Sequence, residues 1–193
     1  MRLTIGVMGS SGGELAQDVL ERVFRLGEAI AGQEAILITG ACPGLPHEAA
    51  RGAKAKGGLV VGISPGLSLE EHRGKYRSPV EGFDVLIYTG SGLMGREITN
   101  IRSCDIVVIA GGRTGTLGEL AIAYDEGRLI GILTGTGGIT AMVEEIIRVC
   151  QKDTGACVLY DDDPSRLIGR LVEYYRTKHF RKPSCFCDAT TEG

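Results

Sequence analysis

The stretch AGGRTGTLGEL, residues 110–120, has the residue types of a phosphate-binding turn and also those of a plain strand-to-helix connection. It follows the apolar run DIVVI, so we predict a buried strand, a glycine turn and an amphipathic helix from about residue 117 to 126. In one interpretation, the amides of Gly112 to Thr116 and the Thr116 hydroxyl hold a phosphate at the helix N-terminus. In the other, Thr116 and Glu119 form a T-x-x-E capping box, in which Thr116 caps the helix and Glu119 bonds back to the Thr116 amide.

Three further glycine-rich turns follow predicted strands: GSSGG at 9–13, GACPG at 40–44 and GTGG at 135–138. In a parallel sheet the carboxyl ends of the strands meet at one rim, where turns open onto helix N-termini. So many glycines on one rim exceed what the connections need, and they favour a backbone surface that an anion can approach closely. The candidate phosphate-binding residues are Gly9, Ser10, Ser11, Gly40, Gly111, Gly112, Arg113, Thr114, Gly115 and Thr116.

The elements that position these turns alternate along the chain. We predict strands at 3–8, 35–39, 59–64, 84–89, 105–110, 129–134 and 157–160, and helices at 14–31, 47–56, 95–103, 116–126, 140–151 and 164–176. A short helix capped by Ser68 is expected in the irregular stretch after the third strand. Nearly continuous apolar strands between amphipathic helices indicate an α/β fold, a doubly wound, mostly parallel, Rossmann-like sheet sandwiched by helices. We predict one ligand-binding domain at 1–176 and a C-terminal tail at 177–193.

Composition and charge exclude several classes of function. The formal net charge of −3 argues against a nucleic-acid partner. No stretch has the apolar length of a signal peptide or a membrane span, so we expect a cytoplasmic protein without a membrane partner. The turn GSSGG after the first strand lacks the G-x-G-x-x-G spacing, and the second strand ends in Thr39 and Gly40 rather than in an acidic residue, which argues against NAD binding. No G-x-x-x-x-G-K-[ST] pattern occurs, which argues against a P-loop hydrolase.

Six cysteines are present, and in a chain without an export signal we expect buried free thiols rather than disulfides. This expectation covers Cys42, Cys104, Cys150 and Cys157. The tail pair Cys185 and Cys187, with His179 upstream, would bind a soft metal only if another ligand joined it. We therefore predict no metal site and no required cofactor.

The G-T-x-x-E turn at 115–119 resembles the PGGxGTxxE motif of the LOG (Lonely Guy) superfamily, whose members were often labelled lysine decarboxylases. Arg96 lies 23 positions before Glu119, as the family's motif arginine does, and GSSGG, GACPGLPHEAARGAKAKGG and IRSCDIVVIAGG resemble further family segments. The resemblance covers most of residues 3–150. It implies that Arg96 and Glu119 are a catalytic pair that hydrolyses the N-glycosidic bond of a nucleoside 5′-monophosphate. It also implies at least a homodimer, to which Leu93, Met94 and Ile98 would contribute.

Three residues depart from the hydrolase pattern: Gly111 replaces its proline, Arg113 its second glycine, and Glu97 its usual lysine. The GG-x-x-GTL form resembles the branch that contains the molybdenum cofactor carrier proteins, which bind a phosphorylated pterin. Three functions therefore stay open: a hydrolase, a non-catalytic carrier and a nucleotide sensor.

The chemistry of the motif side chains also leaves alternatives. We expect the helix dipole to keep Glu119 ionised. For Arg96, the alternative to ligand binding is a surface salt bridge with Glu97 or Asp125. Arg113 either is a solvated turn residue or adds a charge-assisted bond to the phosphate.

Overall fold

Strand β1 (Thr4–Gly9) lies at the centre of a seven-stranded sheet, and the computed structural model describes residues 1–179. The other strands are β2 (Ile36–Thr39), β3 (Leu59–Ser64), β4 (Val85–Tyr88), β5 (Ile106–Ala110), β6 (Leu129–Leu133) and β7 (Cys157–Asp161). They are ordered β4-β3-β2-β1-β5-β6-β7, and every pair is parallel. The strand order reverses between β1 and β5, which is where open α/β sheets bind ligands.

Helices cover both faces of this sheet. They are α1 (Gln17–Gly32), α2 (Leu45–Ala55), α3 (Leu69–Gly74), α4 (Gly92–Arg102), α5 (Thr114–Asp125), α6 (Val143–Cys150) and α7 (Pro164–Thr177). One apolar core joins α1, α2 and α7 to the sheet, and the other joins α4, α5 and α6 to its opposite face. The predicted doubly wound α/β fold is therefore confirmed, and Ser68 caps α3 by accepting a hydrogen bond from the Glu71 amide.

Some predicted helix bounds were wrong. Helix α1 starts at Gln17 rather than residue 14, because the chain stays extended up to Ala16. Helix α4 starts at Gly92 and α5 at Thr114, earlier than predicted. The predicted helix at 140–151 divides into a short 3-10 helix, Gly138–Ala141, and α6, which ends where Gln151 adopts a left-handed conformation.

The last two cysteines of the chain lie beyond the described residues. Residues 180–193 lie outside the described residues, so the tail pair Cys185 and Cys187 and the division at residue 176 stay predictions. Among residues 1–179 the cysteines are free, as expected. Cys104 is buried, Cys42 and Cys157 are partly exposed as whole residues, and Cys150 is exposed. No helix within residues 1–179 is long and apolar enough to cross a membrane.

Helices α1 and α2 pack with their backbones in contact. A Cβ atom on Gly27 would overlap the carbonyl oxygen of Ala49, and one on Gly52 would overlap that of Phe24. Both glycines are thus required by the separation of the two helices rather than by their own conformation.

We expect Gly27→Ala to lower the free energy of unfolding by about 1–3 kcal/mol, because the added methyl must push α2 away. Gly32→Ala is the matched control, since a Cβ there meets no atom within 4 Å and alanine favours helix by up to about 1 kcal/mol. Urea unfolding of both variants measures the difference. Equal effects of the two substitutions would contradict this view of the α1–α2 contact.

Candidate ligand-binding site

A pocket of about 420 Å³ opens at the carboxyl end of β1, between the turn after β1, the turn after β2 and the first turns of α4 and α5. It lies beside the point where the strand order reverses. The predicted site residues that line it are Gly9, Ser10, Ser11, Gly40, Arg96, Arg113, Thr114, Gly115, Thr116 and Glu119. The structure thus brings residues from four separate chain segments to one concave surface.

Gly111 and Gly112 do not line this pocket, although the sequence predicted both as phosphate ligands. Their amides are used inside the protein: Gly111 donates to Thr136 Oγ1 at 2.8 Å and Gly112 donates to Ser10 Oγ at 2.7 Å. Both glycines have positive φ, 61° and 100°, which L residues rarely adopt. Their place in the structure is to shape and anchor the turn.

Helix α5 begins at Thr114 with Arg113 as its N-cap, so Thr116 and Glu119 lie inside the helix and do not form a capping box. The capping-box interpretation is therefore wrong. The amide of Leu117 donates to the Arg113 carbonyl at 2.9 Å, which leaves the amides from Arg113 to Thr116 without a helical acceptor. Among residues 1–179 no hydrogen bond uses the Thr116 hydroxyl, which is buried and faces the pocket.

Glu119 lies at the bottom of the pocket with only 7% of its surface exposed. Burial raises the pKa of its carboxyl to about 7, and the nearby Glu97 adds to the rise, while Arg96 and a 3.2 Å hydrogen bond from Asn100 Nδ2 oppose it. The expectation that the helix dipole keeps Glu119 fully ionised is therefore wrong: the residue lies beyond the first helical turn, where the dipole has little effect, and burial favours the protonated carboxyl.

Arg96 points into the protein and is only 7% exposed, so the alternative of a surface salt bridge is wrong. Its Nη1 donates to the Ile63 carbonyl at 3.0 Å. Its Nε is buried and has no hydrogen-bond partner among the described residues. A Cβ on Gly40 would overlap the guanidinium, so a glycine in the turn after β2 is what lets Arg96 reach this position.

Cys42 and Arg113 complete the polar lining. Burial raises the pKa of the Cys42 thiol, against the effect of the neighbouring Arg96 charge. Arg113 is exposed at the rim, with its guanidinium near Gly12, where an anion could reach it. No group of three or more His, Cys, Asp or Glu side chains within the described part of the chain could hold a metal ion.

The sequence interpretation missed Asn100 and assigned no role in the site to Glu97. Asn100 is fully buried on α4, and its Nδ2 reaches both Glu119 and, at 3.0 Å, the Met8 sulfur. A signal was available, because Asn100 follows Arg96 by one helical turn and therefore shares its face of α4. Glu97 is only 6% exposed and lies against Gly115 and Gly118 of α5.

Two comparisons with known sequences identify relatives of this chain. A model of the SLOG cluster4 family matches residues 2–168. An uncharacterized protein of Archaeoglobus fulgidus is 35% identical over 132 residues, which are 68% of this chain and 80% of that protein.

Two solved structures of molybdenum cofactor proteins are similar to this chain over most of its length. The molybdenum cofactor carrier protein of Chlamydomonas reinhardtii is 28% identical with a TM-score of 0.73, over 92% of this chain and 100% of that one. The molybdenum cofactor binding protein of Rippkaea orientalis is 27% identical with a TM-score of 0.75, over 92% and 99%. The resemblance to the LOG and carrier superfamily, inferred above from motifs, is thereby confirmed.

We expect the elevated pKa of Glu119 to make the fold less stable as pH rises. The carboxyl has a pKa of about 7 when folded and an ordinary value of 4.5 when unfolded, so between these values the folded state binds the extra proton. The contribution of Glu119 to the free energy of unfolding is therefore fully present below about pH 4.5, and it falls by roughly 2–3 kcal/mol between pH 5 and 8.

Urea unfolding at pH 5 and pH 8 tests this with Glu119→Gln, which cannot titrate and should lack that share of the loss. Glu173→Gln makes the same change at an exposed site on α7, and this variant should lose as much stability between pH 5 and 8 as the wild type. If wild type and Glu119→Gln lose the same stability over this range, the assignment of the titration to Glu119 fails.

Proposed function

The chain belongs to the SLOG cluster4 family, and on that basis we propose that its pocket binds a small phosphorylated molecule carrying a heterocycle. The observation that carries the proposal is the start of α5. There the amides from Arg113 to Thr116 and the Thr116 hydroxyl face the pocket without partners in the described protein, and they match the needs of a phosphate. Arg113 at the rim and Ser11 across from it add donors for the same anion.

The role we favour is that of a carrier for molybdenum cofactor or a related phosphorylated pterin. Two structural relatives of nearly the same length are carrier or binding proteins for that cofactor. A volume of about 420 Å³ is in the range of small-molecule pockets, and its opening would leave part of a bound cargo accessible for transfer. The cofactor would here be cargo, with its phosphate at the start of α5.

A second candidate, hydrolysis of a nucleoside 5′-monophosphate, is favoured by one observation. Glu119 has a pKa of about 7 beside the Arg96 guanidinium, and a group that titrates near the working pH is suited to proton transfer. In its ionised form Glu119 would take a proton from the water that attacks the sugar, and Arg96 would hold the ligand. We rank this second because Gly111, Arg113 and Glu97 all depart from the hydrolase pattern.

We also propose that the chain forms a homodimer through α4. Leu93, Met94 and Ile98 are exposed on this helix by 56%, 64% and 46%. Apolar side chains clustered in this way on one helix are typical of a surface that another chain covers. Leu93 and Met94 also line the pocket, so a partner chain at this surface would lie beside the bound ligand.

We expect Thr116→Val to weaken ligand binding about ten-fold or more without lowering the melting temperature of the free protein. A hydrogen bond to a charged group is lost, at about 1.5–3 kcal/mol, while the hydroxyl has no structural partner to leave behind. Thr136→Val is the contrasting control, because the Thr136 hydroxyl holds both Gly111 and the Leu133 carbonyl, so its loss should lower stability. Thermal melts with and without GMP and a pterin phosphate measure both effects. A full ligand-induced shift in Thr116→Val would contradict the phosphate site.

The two functions are separated by product analysis and native mass spectrometry. A hydrolase should release free base from nucleoside monophosphates over many turnovers, and Glu119→Gln should slow this by about a hundred-fold or more while affinity changes little. A carrier should release no base, and it should co-purify with a phosphorylated pterin that is lost in Arg96→Ala. If base is released and Glu119→Gln leaves its rate unchanged, Glu119 is not the proton acceptor of the hydrolase.

A further inference from the structure

Glu97 is a buried carboxylate without a partner in the described protein. Its side chain lines the pocket, only 6% of the residue is exposed, and among residues 1–179 no hydrogen bond or ion pair engages it. One oxygen lies 3.6 Å from where a Cβ on Gly115 would stand, and the other lies 2.8 Å from that position on Gly118. The carboxylate thus rests on bare backbone of α5, and its free lone pairs face the pocket.

Such a group is unfavourable for the protein alone. A carboxylate that is largely buried and accepts no hydrogen bond from the protein loses part of the solvation it had in water, and burial raises its pKa. Arg96 lies near enough to attract it but makes no ion pair with it, and Glu119 on the other side repels it. Within residues 1–179 the Arg96 charge is the favourable contact of this carboxylate, and no hydrogen bond adds to it. A ligand in the pocket that donates hydrogen bonds to Glu97 would supply them.

The two ends of the pocket differ in chemistry. The turn after β1 and the start of α5 present hydroxyls, amides and the Arg113 charge. The α4 side presents Leu93 and Met94, and Glu97 lies one turn further along α4, with its carboxylate against the side of α5 at Gly115 and Gly118. If the phosphate lies on the amides at the tip of α5, as the proposed function requires, the rest of the ligand extends along the groove between α4 and α5, where Leu93 and Met94 offer apolar surface and Glu97 offers a carboxylate.

We propose that Glu97 selects the ligand by accepting two parallel hydrogen bonds from a ring N–H and the adjacent exocyclic amino group of a 2-amino-4-oxopyrimidine ring. This edge is shared by guanine nucleotides and pterins. A carboxylate offers acceptors only, so it matches two neighbouring donors. Hypoxanthine lacks the amino group, and adenine sets a ring acceptor beside its amino group, which would face the carboxylate unpaired.

This inference rests on the proposed function, and a comparison of ligands tests it. GMP, IMP, AMP and 6-hydroxymethylpterin phosphate are titrated into the full-length protein and into Glu97→Gln, with Glu173→Gln as the exposed control. Wild type and the control should bind GMP about ten-fold or more tighter than IMP, because the amino group bonds to a charged acceptor. AMP should bind no better than IMP. Glu97→Gln should reduce the preference for GMP to about three-fold or less, because GMP gives up two hydrogen bonds to a charged acceptor and IMP only one; a merely structural role of Glu97 would weaken both ligands equally.

The relative affinities of GMP and the pterin phosphate identify which source of the ring the pocket prefers. Equal binding of GMP and IMP by wild type, or an undiminished preference in Glu97→Gln, overturns the role of Glu97. If the phosphorylated ligands bind and Thr116→Val weakens them, yet none is preferred for its amino group, this inference fails and the proposed function stands. If none of the probes binds, both fail.

Discussion

Two hydrogen bonds, from the amides of Gly111 and Gly112 to the hydroxyls of Thr136 and Ser10, determine where α5 begins. They fasten the turn after β5 to the turns after its two neighbouring strands, and Ile139 adds a bond to the Gly112 carbonyl at 3.0 Å. With the turn held in this way, the helix starts at Thr114 and its first amides face the pocket. Gly111 and Gly112 thus fix the position of the turn and do not line the pocket.

The charges of the pocket form a second constraint, centred on Arg96. Its guanidinium is buried, anchored to the Ile63 carbonyl and admitted by Gly40, so it is a fixed positive charge rather than a mobile one. Glu97 and Glu119 flank it, and burial raises the pKa of both carboxyls. Because the pKa values of both carboxyls are raised, the pocket can take up a proton at modest free-energy cost and so adjust its net charge to an incoming ligand.

The sequence was sufficient to predict the fold class and the rim on which the site lies, because the alternation of strands with helices and the glycine turns are local patterns. It was sufficient to predict Arg96 and Glu119 as neighbours only through the family spacing. It was not sufficient for the start of α5, and an error of two residues there changed Thr116 from a supposed cap into a residue inside the helix. The ionisation of Glu119 and the partners of Gly112 depend on contacts between distant segments, which a local pattern does not contain.

The bond between Ser10 and Gly112 joins residues that are 102 positions apart in the chain. Contacts of that separation close a long loop and belong to the slow part of folding, since the loss of chain entropy precedes any gain. The amide surface at the start of α5 is therefore completed only once β1 and β5 have paired and the two halves of the sheet have joined. A ligand bound to these amides stabilises the completed sheet and does not stabilise a partly folded chain. Its binding therefore indicates that the two halves of the sheet have joined.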